Sequence, residues 1–245
     1  MRVLDLFSGI GGFSLGLERA GMQTVAFCEI EPFPRAVLKK HWPEVPCYED
    51  VRTLTADRLA ADGIGEIDVI CGGFPCQDVS NAGTRSGLEG ARSGLWSEIV
   101  RLVRDIRPRY VLVENVSALL SRGFGRVVGD LAALGYDAEW HCIPASYLGA
   151  EHNRDRVWII AYPMRQGLSM GSEAGANESN AADLKERFRF AFGTEVKGLE
   201  RCGKSRWGGN VHGIPARMDR IKALGNAVVP QIPEMIGRAI MEQHQ

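Results

Sequence analysis

Short apolar runs alternate along the chain with stretches in which apolar residues recur every three or four positions. The apolar runs predict strands over residues 2–7, 24–28, 45–48, 67–70, 110–113, 135–143 and 157–161. The helical spacing predicts helices over residues 13–20, 95–106, 124–134 and 232–240. Because strands that alternate with helices build a mostly parallel sheet covered on both faces, this order predicts an α/β, doubly wound domain.

The amino-acid composition changes at about residue 163. Glycine, serine, asparagine and alanine dominate as far as residue 182, and a basic stretch with aromatic residues follows. The sequence shows no internal repeat and no clear strand pattern in this part. We therefore predict a small irregular second lobe over residues 163–213.

The composition is that of an ordinary globular protein. With 245 residues, 45% of them hydrophobic and 24% charged, the chain can bury a full core. Its six cysteines form no Cys-x-x-Cys pair, so we expect no metal and no disulfide framework, which fits a reducing compartment. The N-terminus lacks a long apolar signal region, and no apolar run approaches the ~18 residues needed to cross a bilayer. We expect a cytoplasmic protein without a membrane partner.

The charges are unevenly distributed, although the net charge is only -1. Residues 185–222 carry ten lysines and arginines against four acidic residues, and the rest of the chain is mildly acidic. A basic segment beside such a body is what a polyanion-binding face requires. The alternative is a solvated charged surface without a partner.

A candidate nucleophile follows the apolar run 67–70. Two glycines and Pro75 precede Cys76 there, and ligands of an open α/β sheet bind outside the carboxyl ends of its strands. A lone cysteine is more often a buried structural residue. Here Pro75 fixes the backbone before Cys76, and Gln77 and Ser80 add polar groups, which favours a reactive thiol.

Three further strand ends carry groups that are typical of ligand contacts. The glycine turn of residues 8–12 lets backbone N–H groups and the start of a helix face a polar ligand. Glu29 follows the next strand about twenty residues later, where it could accept hydrogen bonds from a ribose diol, and Glu31 is the competing candidate. Asp50 follows the third strand and could accept from an adenine amino group. A single acidic residue after a strand, such as Glu29 or Asp50, is more often a surface charge than a ligand contact.

Charged residues also flank the last two buried strands. Glu114 directly follows the strand 110–113, where a carboxylate is costly unless it is paired or functional. Arg154 and Arg156 are two positions apart and would therefore lie on one face of a strand. Residues 81–93 are glycine-rich, with few apolar groups, and predict a loop that either closes as a lid or is merely a disordered surface loop.

Five segments resemble motifs of the DNA (cytosine-5)-methyltransferases, in the order of that family. They are residues 5–13 (motif I), Pro-Cys-Gln at 75–77 (motif IV), Glu-Asn-Val at 114–116 (motif VI), residues 149–161 (motif VIII) and 221–230 (motif X). In motif VIII, the family commonly has Pro-Gln where this chain has Glu151-His152. The resemblance covers residues 1–162 and about 214–240.

The resemblance implies a Rossmann-like class I methyltransferase that uses S-adenosylmethionine and releases S-adenosylhomocysteine. The implied catalytic residues are Cys76, which attacks the base, Glu114, which holds it at N3, and Arg154 and Arg156. The implied cofactor contacts are Phe7, Gly9, Gly11, Gly12, Glu29, Asp50, Pro75, Leu95 and Asn226. The implied substrate contacts are Gln77, Ser80, Arg85 and Arg92.

By the same resemblance, residues 1–162 are the catalytic and cofactor-binding domain, 163–213 a target-recognition region, and 214–245 a segment that returns to the catalytic domain. The implied function is methylation of carbon 5 of cytosine in double-stranded DNA, with the target base flipped out of the helix, as in restriction-modification systems. The recognition region is much shorter than usual in the family. We expect a monomer, or else a partner subunit that supplements this region.

Three other functions stay open. The same scaffold could methylate cytosine in transfer RNA, although the Cys-Phe-Thr signature of that branch is not present. A protein that binds DNA or cofactor but has lost turnover is the second alternative, against which Cys76 and Glu114 speak. A NAD-type oxidoreductase would explain the glycine turn but would leave Pro-Cys-Gln and Glu-Asn-Val without a role.

Overall fold

A computed structural model describes residues 1–75, 94–144, 155–164 and 217–244 of the chain. Its strands are β1 Arg2–Leu6, β2 Gln23–Cys28, β3 Cys47–Tyr48, β4 Val69–Gly72, β5 Tyr110–Val116, β6 Tyr136–Pro144 and β7 Asp155–Pro163. Its helices are α1 Gly12–Arg19, α2 Pro32–His41, α3 Ala56–Ala61, α4 Leu95–Ile106, α5 Leu119–Arg122, α6 Phe124–Ala133, α7 Arg217–Asn226 and α8 Gln231–Glu242.

The strands form one seven-stranded sheet in the order β3-β2-β1-β4-β5-β7-β6. The first five strands of this order pair in parallel, and β7 runs antiparallel to both β5 and β6. The strand order reverses at β1, which lies between β2 and β4. The carboxyl ends of these parallel strands share one edge of the sheet, and a reversal of strand order at that edge opens the crevice in which such folds bind ligands.

Helices cover both faces of the sheet, which confirms the predicted α/β, doubly wound class. On one face, α1 and α8 pack on the sheet through an apolar cluster that includes Phe13, Leu17, Ile232 and Ile236. On the other face, α3, α4 and α6 contribute to a second cluster, which includes Leu59, Leu102 and Leu131.

Glycines allow α8 and the segment before it to approach α1 closely. A β carbon on Gly16 would overlap the carbonyl oxygen of Pro230, and one on Gly12 would lie 2.5 Å from the carbonyl oxygen of Val228. On α8, a β carbon on Gly237 would lie 2.7 Å from that of Ala20. The C-terminal segment is therefore packed directly against the turn and helix that follow β1.

Four helices lack a clear sequence signal and were not predicted: α2, α3, α5 and α7. The first of them begins with proline in its first turn and has Leu38 as its buried residue, so its apolar spacing is weak. The next, α3, is six residues long and is capped by Thr55, whose hydroxyl oxygen accepts from the N–H of Arg58 at 3.1 Å. Apart from residues 163 and 164, the predicted second lobe lies outside the described residues. Within the described ranges, no helix is both long and apolar enough to cross a membrane.

Candidate active site at the carboxyl ends of the strands

The turn after β1 has an unusual backbone conformation and leaves room for a ligand to approach closely. Phe7 has a φ of 52°, in the left-handed region that L-residues other than glycine rarely adopt, and Gly9 and Gly11 have φ values of 53° and 85°. The N–H of Gly11 donates to the carbonyl of Ser8 at 2.9 Å, which closes the turn. A β carbon on Gly9 would meet no atom within 4 Å, so the backbone there borders open space.

A buried carboxyl group lies beneath this turn. Asp5 is fully buried in β1, and the hydroxyl of Ser14 on α1 donates to its Oδ2 at 2.6 Å. Burial raises the pKa of Asp5 to about 7, although the Ser14 hydrogen bond opposes that shift. The contact ties the first turn of α1 to β1 and so fixes the two ends of the glycine turn.

Glu29 connects the turns that follow β1 and β2. The N–H of Gly9 donates to its Oε2 at 2.7 Å, and the N–H of Glu31 donates to its Oε1 at 2.8 Å. Glu29 is buried, whereas Glu31 is exposed and directly precedes α2. Of the two acids considered from the sequence, Glu29 therefore has the oriented carboxylate at the glycine turn.

Trp42 packs against the glycine turn, a role that no sequence pattern predicted. Its indole ring packs so closely on Gly11 that a β carbon there would lie 2.7 Å from the ring. The indole N–H donates to both carboxylate oxygens of Glu18 on α1, at 3.0 and 2.9 Å. A tryptophan just after a weakly patterned segment gives no local signal for such a role.

Asp50 follows β3, and its carboxylate accepts hydrogen bonds from Arg52. The side chain of Arg52 donates to both oxygens, at 2.6 to 3.0 Å, and the N–H of Arg52 donates to Oδ1 at 3.0 Å. These hydrogen bonds lower the pKa of Asp50. Ile30, directly after Glu29, is 60% exposed, although isoleucine is usually buried. An apolar side chain and two oriented carboxylates thus follow β2 and β3.

The residues at the end of β5 contact the segment that follows β4 and precedes the Pro-Cys-Gln motif. Asn115 is buried, and its side-chain amide donates to the carbonyl of Phe74 at 3.2 Å. A β carbon on Gly73 would lie 2.9 Å from Oε2 of Glu114. The Glu-Asn-Val segment therefore touches the backbone that immediately precedes Pro75.

Glu114 forms an ion pair with Arg156 across the antiparallel strands β5 and β7. Arg156 Nε lies 2.7 Å from Glu114 Oε1, and the side chains are 22% and 11% exposed, respectively. The register pairs Val116 with Arg156 and Glu114 with Trp158, so the two charges are diagonal neighbours on one face. Such a shielded, charge-assisted contact holds the Glu114 carboxylate in one orientation.

Six of the predicted site residues lie outside the described residues: Cys76, Gln77, Ser80, Arg85, Arg92 and Arg154. Phe7, Gly9, Gly11, Gly12 and Glu29 come together at the glycine turn. Leu95 is the first residue of α4, and Asn226 is an exposed residue at the end of α7, two positions before Val228, which contacts Gly12. In the described ranges, no cluster of three or more histidine, cysteine or acidic side chains could hold a metal ion.

The model of the C-5 cytosine-specific DNA methylase family matches residues 1–197. The chain belongs to this family. Type II methyltransferase M.NgoPII of Neisseria gonorrhoeae is 34% identical over 206 residues, which cover 82% of this chain and 54% of that protein. Type II methyltransferase M2.BsuMI of Bacillus subtilis is 36% identical over 169 residues, which cover 66% of this chain and 42% of that protein.

This DNA methylase chain thus spans about half the length of the curated relatives it matches. Among solved structures, the Entamoeba histolytica methyltransferase EhMeth is similar over 100% of this chain and 99% of that one, with a TM-score of 0.67 and 14% identity. At that identity the likeness establishes the fold alone, and the fold agrees with the family assignment.

The DNA methylase family is one of S-adenosylmethionine-dependent enzymes. The described residues fit a nucleoside-bearing cofactor, because the glycine turn borders open space and Glu29 presents an oriented carboxylate beside it. The exposed Ile30 offers an apolar surface next to that carboxylate.

Proposed function

We propose that this protein transfers a methyl group from S-adenosylmethionine to carbon 5 of cytosine in DNA. The observation that carries the proposal is the Glu114–Arg156 pair, which lies against the backbone leading to Pro75 and Cys76 in a chain of the DNA methylase family. The attraction within a buried ion pair often only balances the cost of removing both charges from water, and such pairs are common at functional sites. The glycine turn and Glu29 lie at the same edge of the sheet.

The cofactor, when bound, supplies the methyl group from its sulfonium sulfur. We infer that the backbone of Phe7, Gly9, Gly11 and Gly12 lies against it and that Glu29 accepts hydrogen bonds from its ribose hydroxyls. Asp50, Pro75, Leu95 and Asn226 are the further contacts that we propose. Two backbone N–H groups hold the Glu29 carboxylate in place before any ligand arrives, which lowers the entropy cost of binding.

Cys76 is the proposed nucleophile, and the other cysteines support this choice by their surroundings. Desolvation raises the pKa of each cysteine within the described ranges: Cys28, Cys47, Cys71 and Cys142. A raised pKa disfavours the thiolate, which is the reactive form. Cys76 and Cys202 lie outside these ranges. Of the two, Cys76 follows the carboxyl end of the central strand β4, which pairs with the strand β5 that carries Glu114.

The reaction that we propose begins when the Cys76 thiolate adds to carbon 6 of a flipped cytosine. The addition makes carbon 5 nucleophilic, and carbon 5 takes up the methyl group. A base then removes the proton of carbon 5, the proton on N3 returns to Glu114, and the bond between sulfur and carbon 6 breaks, which restores the thiolate. Glu114 bonds N3 and supplies a proton to it, so that the charge on the ring is neutralised while the adduct exists.

Arg156 orients Glu114 in this mechanism, and Arg154 would add positive charge near the thiolate. The substrate contacts that we propose are Gln77, Ser80, Arg85 and Arg92. Residues 163–213 would be the target-recognition region of a catalytic unit formed by residues 1–162 and 214–245, and double-stranded DNA the partner. The basic residues in 185–222 would contact phosphates, which gives affinity without sequence selectivity. We propose a monomer.

Expression in a bacterial host tests the activity directly. Bisulfite sequencing of the host DNA should reveal 5-methylcytosine that is not found in cells expressing the Cys76→Ser variant. A single sequence motif around the methylated cytosines would mean that about fifty residues suffice for target recognition. Methylation in many sequence contexts would mean that the protein recognises a degenerate target sequence. Host DNA that gains no 5-methylcytosine, with the protein present in soluble form, would contradict the proposed activity.

Replacement of Glu29 tests the cofactor site. We expect Glu29→Ala to weaken the binding of S-adenosylhomocysteine by about 1.5–3 kcal/mol, because hydrogen bonds to a charged group are lost and the Gly9 N–H loses its acceptor. Titration calorimetry measures this change. The matched control is Glu31→Ala, which removes an exposed carboxylate but keeps the backbone N–H that Glu29 uses, and it should bind as the unchanged protein does. Equal losses in both variants would contradict the role of Glu29.

A further inference from the structure

The turn of residues 50–54, which follows β3, is bound to helix α4 by one arginine. Arg101 Nη2 donates to the carbonyl of Val51 and to that of Leu54, each at 2.8 Å. Its Nε donates to Glu98 Oε2, one turn earlier on the same helix, also at 2.8 Å. The guanidinium group thus satisfies two carbonyls of a turn that is about fifty residues away in sequence.

Burial makes this contact stronger than an ordinary surface pair. The side chains of Arg101 and Glu98 are 24% and 23% exposed, and hydrogen bonds from a charged donor are stronger than neutral ones. Val51 and Leu54 direct their side chains into the apolar cluster that also contains Leu102 of α4. The turn is therefore held to α4 both by apolar packing and by Arg101.

The position of this turn links it to the proposed cofactor site. Asp50 is its first residue, and the carbonyl of Asp50 accepts from the N–H of Thr53 at 3.1 Å, so a movement of the turn moves the Asp50 carboxylate. Helix α4 begins at Leu95, another proposed cofactor contact. Arg101 therefore joins the two segments that would lie along one side of the cofactor.

We propose that Arg101 is a positioning residue for the adenine ring of the cofactor. It fixes the turn that carries Asp50 relative to α4. Arg52 orients the Asp50 carboxylate within that turn, and Asp50 accepts a hydrogen bond from the 6-amino group of adenine. The inference rests on the proposed function, because it assumes that S-adenosylmethionine is the cofactor. An arginine of an amphipathic helix would otherwise be read as a solvated surface charge.

The test compares two ligands that differ at the recognised group. S-adenosylhomocysteine carries the 6-amino donor, and S-inosylhomocysteine carries a carbonyl oxygen, which Asp50 would repel. We expect the unchanged protein to prefer the adenosyl ligand in titration calorimetry. Arg101→Met should weaken adenosyl binding by about tenfold while changing inosyl binding little, because a displaced Asp50 neither accepts from the amino group nor repels the carbonyl. Arg101→Lys, which keeps a charged donor, should recover part of the preference.

Arg104→Met is the matched control. Arg104 lies one turn later on α4, its side chain is 63% exposed, and it pairs with the neighbouring Asp105. This variant should keep both affinities. Should Arg101→Met prove unfolded by circular dichroism, Arg101→Lys and Arg101→Gln carry the same comparison.

Three results would overturn the inference. An unchanged preference for the adenosyl ligand in the Arg101 variants would mean that Arg101 does not act through Asp50, even if both affinities fall. An equal loss of preference in Arg104→Met would mean that any charge removed from α4 has the same effect. If the unchanged protein bound neither ligand, the cofactor assignment itself would be wrong, and this inference with it. That result is distinct from the first two, in which the unchanged protein still binds the adenosyl ligand.

Discussion

DNA that carries 5-fluorocytosine at target sites should form a complex with this protein that survives denaturation. Carbon 5 of the adduct then bears fluorine, and fluorine cannot leave as a proton does in the elimination that frees the Cys76 thiolate. The complex should require the cofactor, because transfer of the methyl group precedes the blocked step. Denaturing gel electrophoresis with labelled DNA measures the trapped fraction.

Cys76→Ser should abolish this trapped complex, which is the largest effect that we expect from any substitution. The change hardly alters side-chain volume but removes a strong nucleophile, so the affinities for DNA and for S-adenosylhomocysteine should stay nearly intact. Cys142→Ser is the matched control, because Cys142 is an exposed cysteine on β6 and its loss should leave trapping unchanged.

The trapping experiment also separates the alternative functions. If the unchanged protein binds cofactor and DNA but traps no target-rich DNA, it is a binding protein without turnover or needs a partner subunit. If it traps transfer RNA containing 5-fluorocytosine and no DNA, the substrate is RNA. Trapping that persists in Cys76→Ser would mean that another residue is the nucleophile.

Glu114→Gln should lower the rate of methyl transfer by about 10²–10⁴-fold, the usual contribution of a general acid or base. The amide still hydrogen-bonds at N3 but cannot deliver a proton as a carboxylic acid does. It also leaves Arg156, which is 22% exposed, without its charged partner, so the orientation of the group is lost as well. Single-turnover transfer from labelled cofactor measures the rate, and DNA binding should change little.

Glu139→Gln provides the control for a buried glutamate in the same sheet. Glu139 lies on β6 and accepts from the hydroxyl of Tyr162 at 2.7 Å, a bond that glutamine can also accept. This variant should transfer methyl groups at nearly the unchanged rate. If both variants slow the reaction equally, the effect of Glu114→Gln comes from the sheet and not from chemistry at N3.

The contacts at the site depend on residues that are far apart in the chain. Glu114 and Arg156 are brought together by the antiparallel pairing of β5 and β7, and Glu29 is fixed by the N–H of Gly9, twenty residues earlier. The sequence indicated Glu114 because a carboxylate directly after a buried strand is costly. It indicated Glu29 by its spacing from the glycine turn, and Arg156 by its alternation with Arg154 and the resemblance to motif VIII. It gave no signal for Trp42 or Arg101, because each acts through contacts with residues far away in the chain. Asn115 stood in the Glu-Asn-Val motif, but its bond to the carbonyl of Phe74 was not predicted.

The sequence by itself determined the fold class and which residue types stand at the strand ends. Helix α4 was predicted with its observed bounds, because one buried face leaves a regular spacing of apolar residues, and β1 and β5 were found because a strand buried on both faces is a continuous apolar run. The family motifs indicated which strand ends are candidate contact sites. The tertiary structure alone decided the order of the strands, the antiparallel direction of β7, and which polar atoms meet. The physical reason is that periodicity records which face of an element is buried, whereas neighbours and their distances arise only when the buried faces pack against one another.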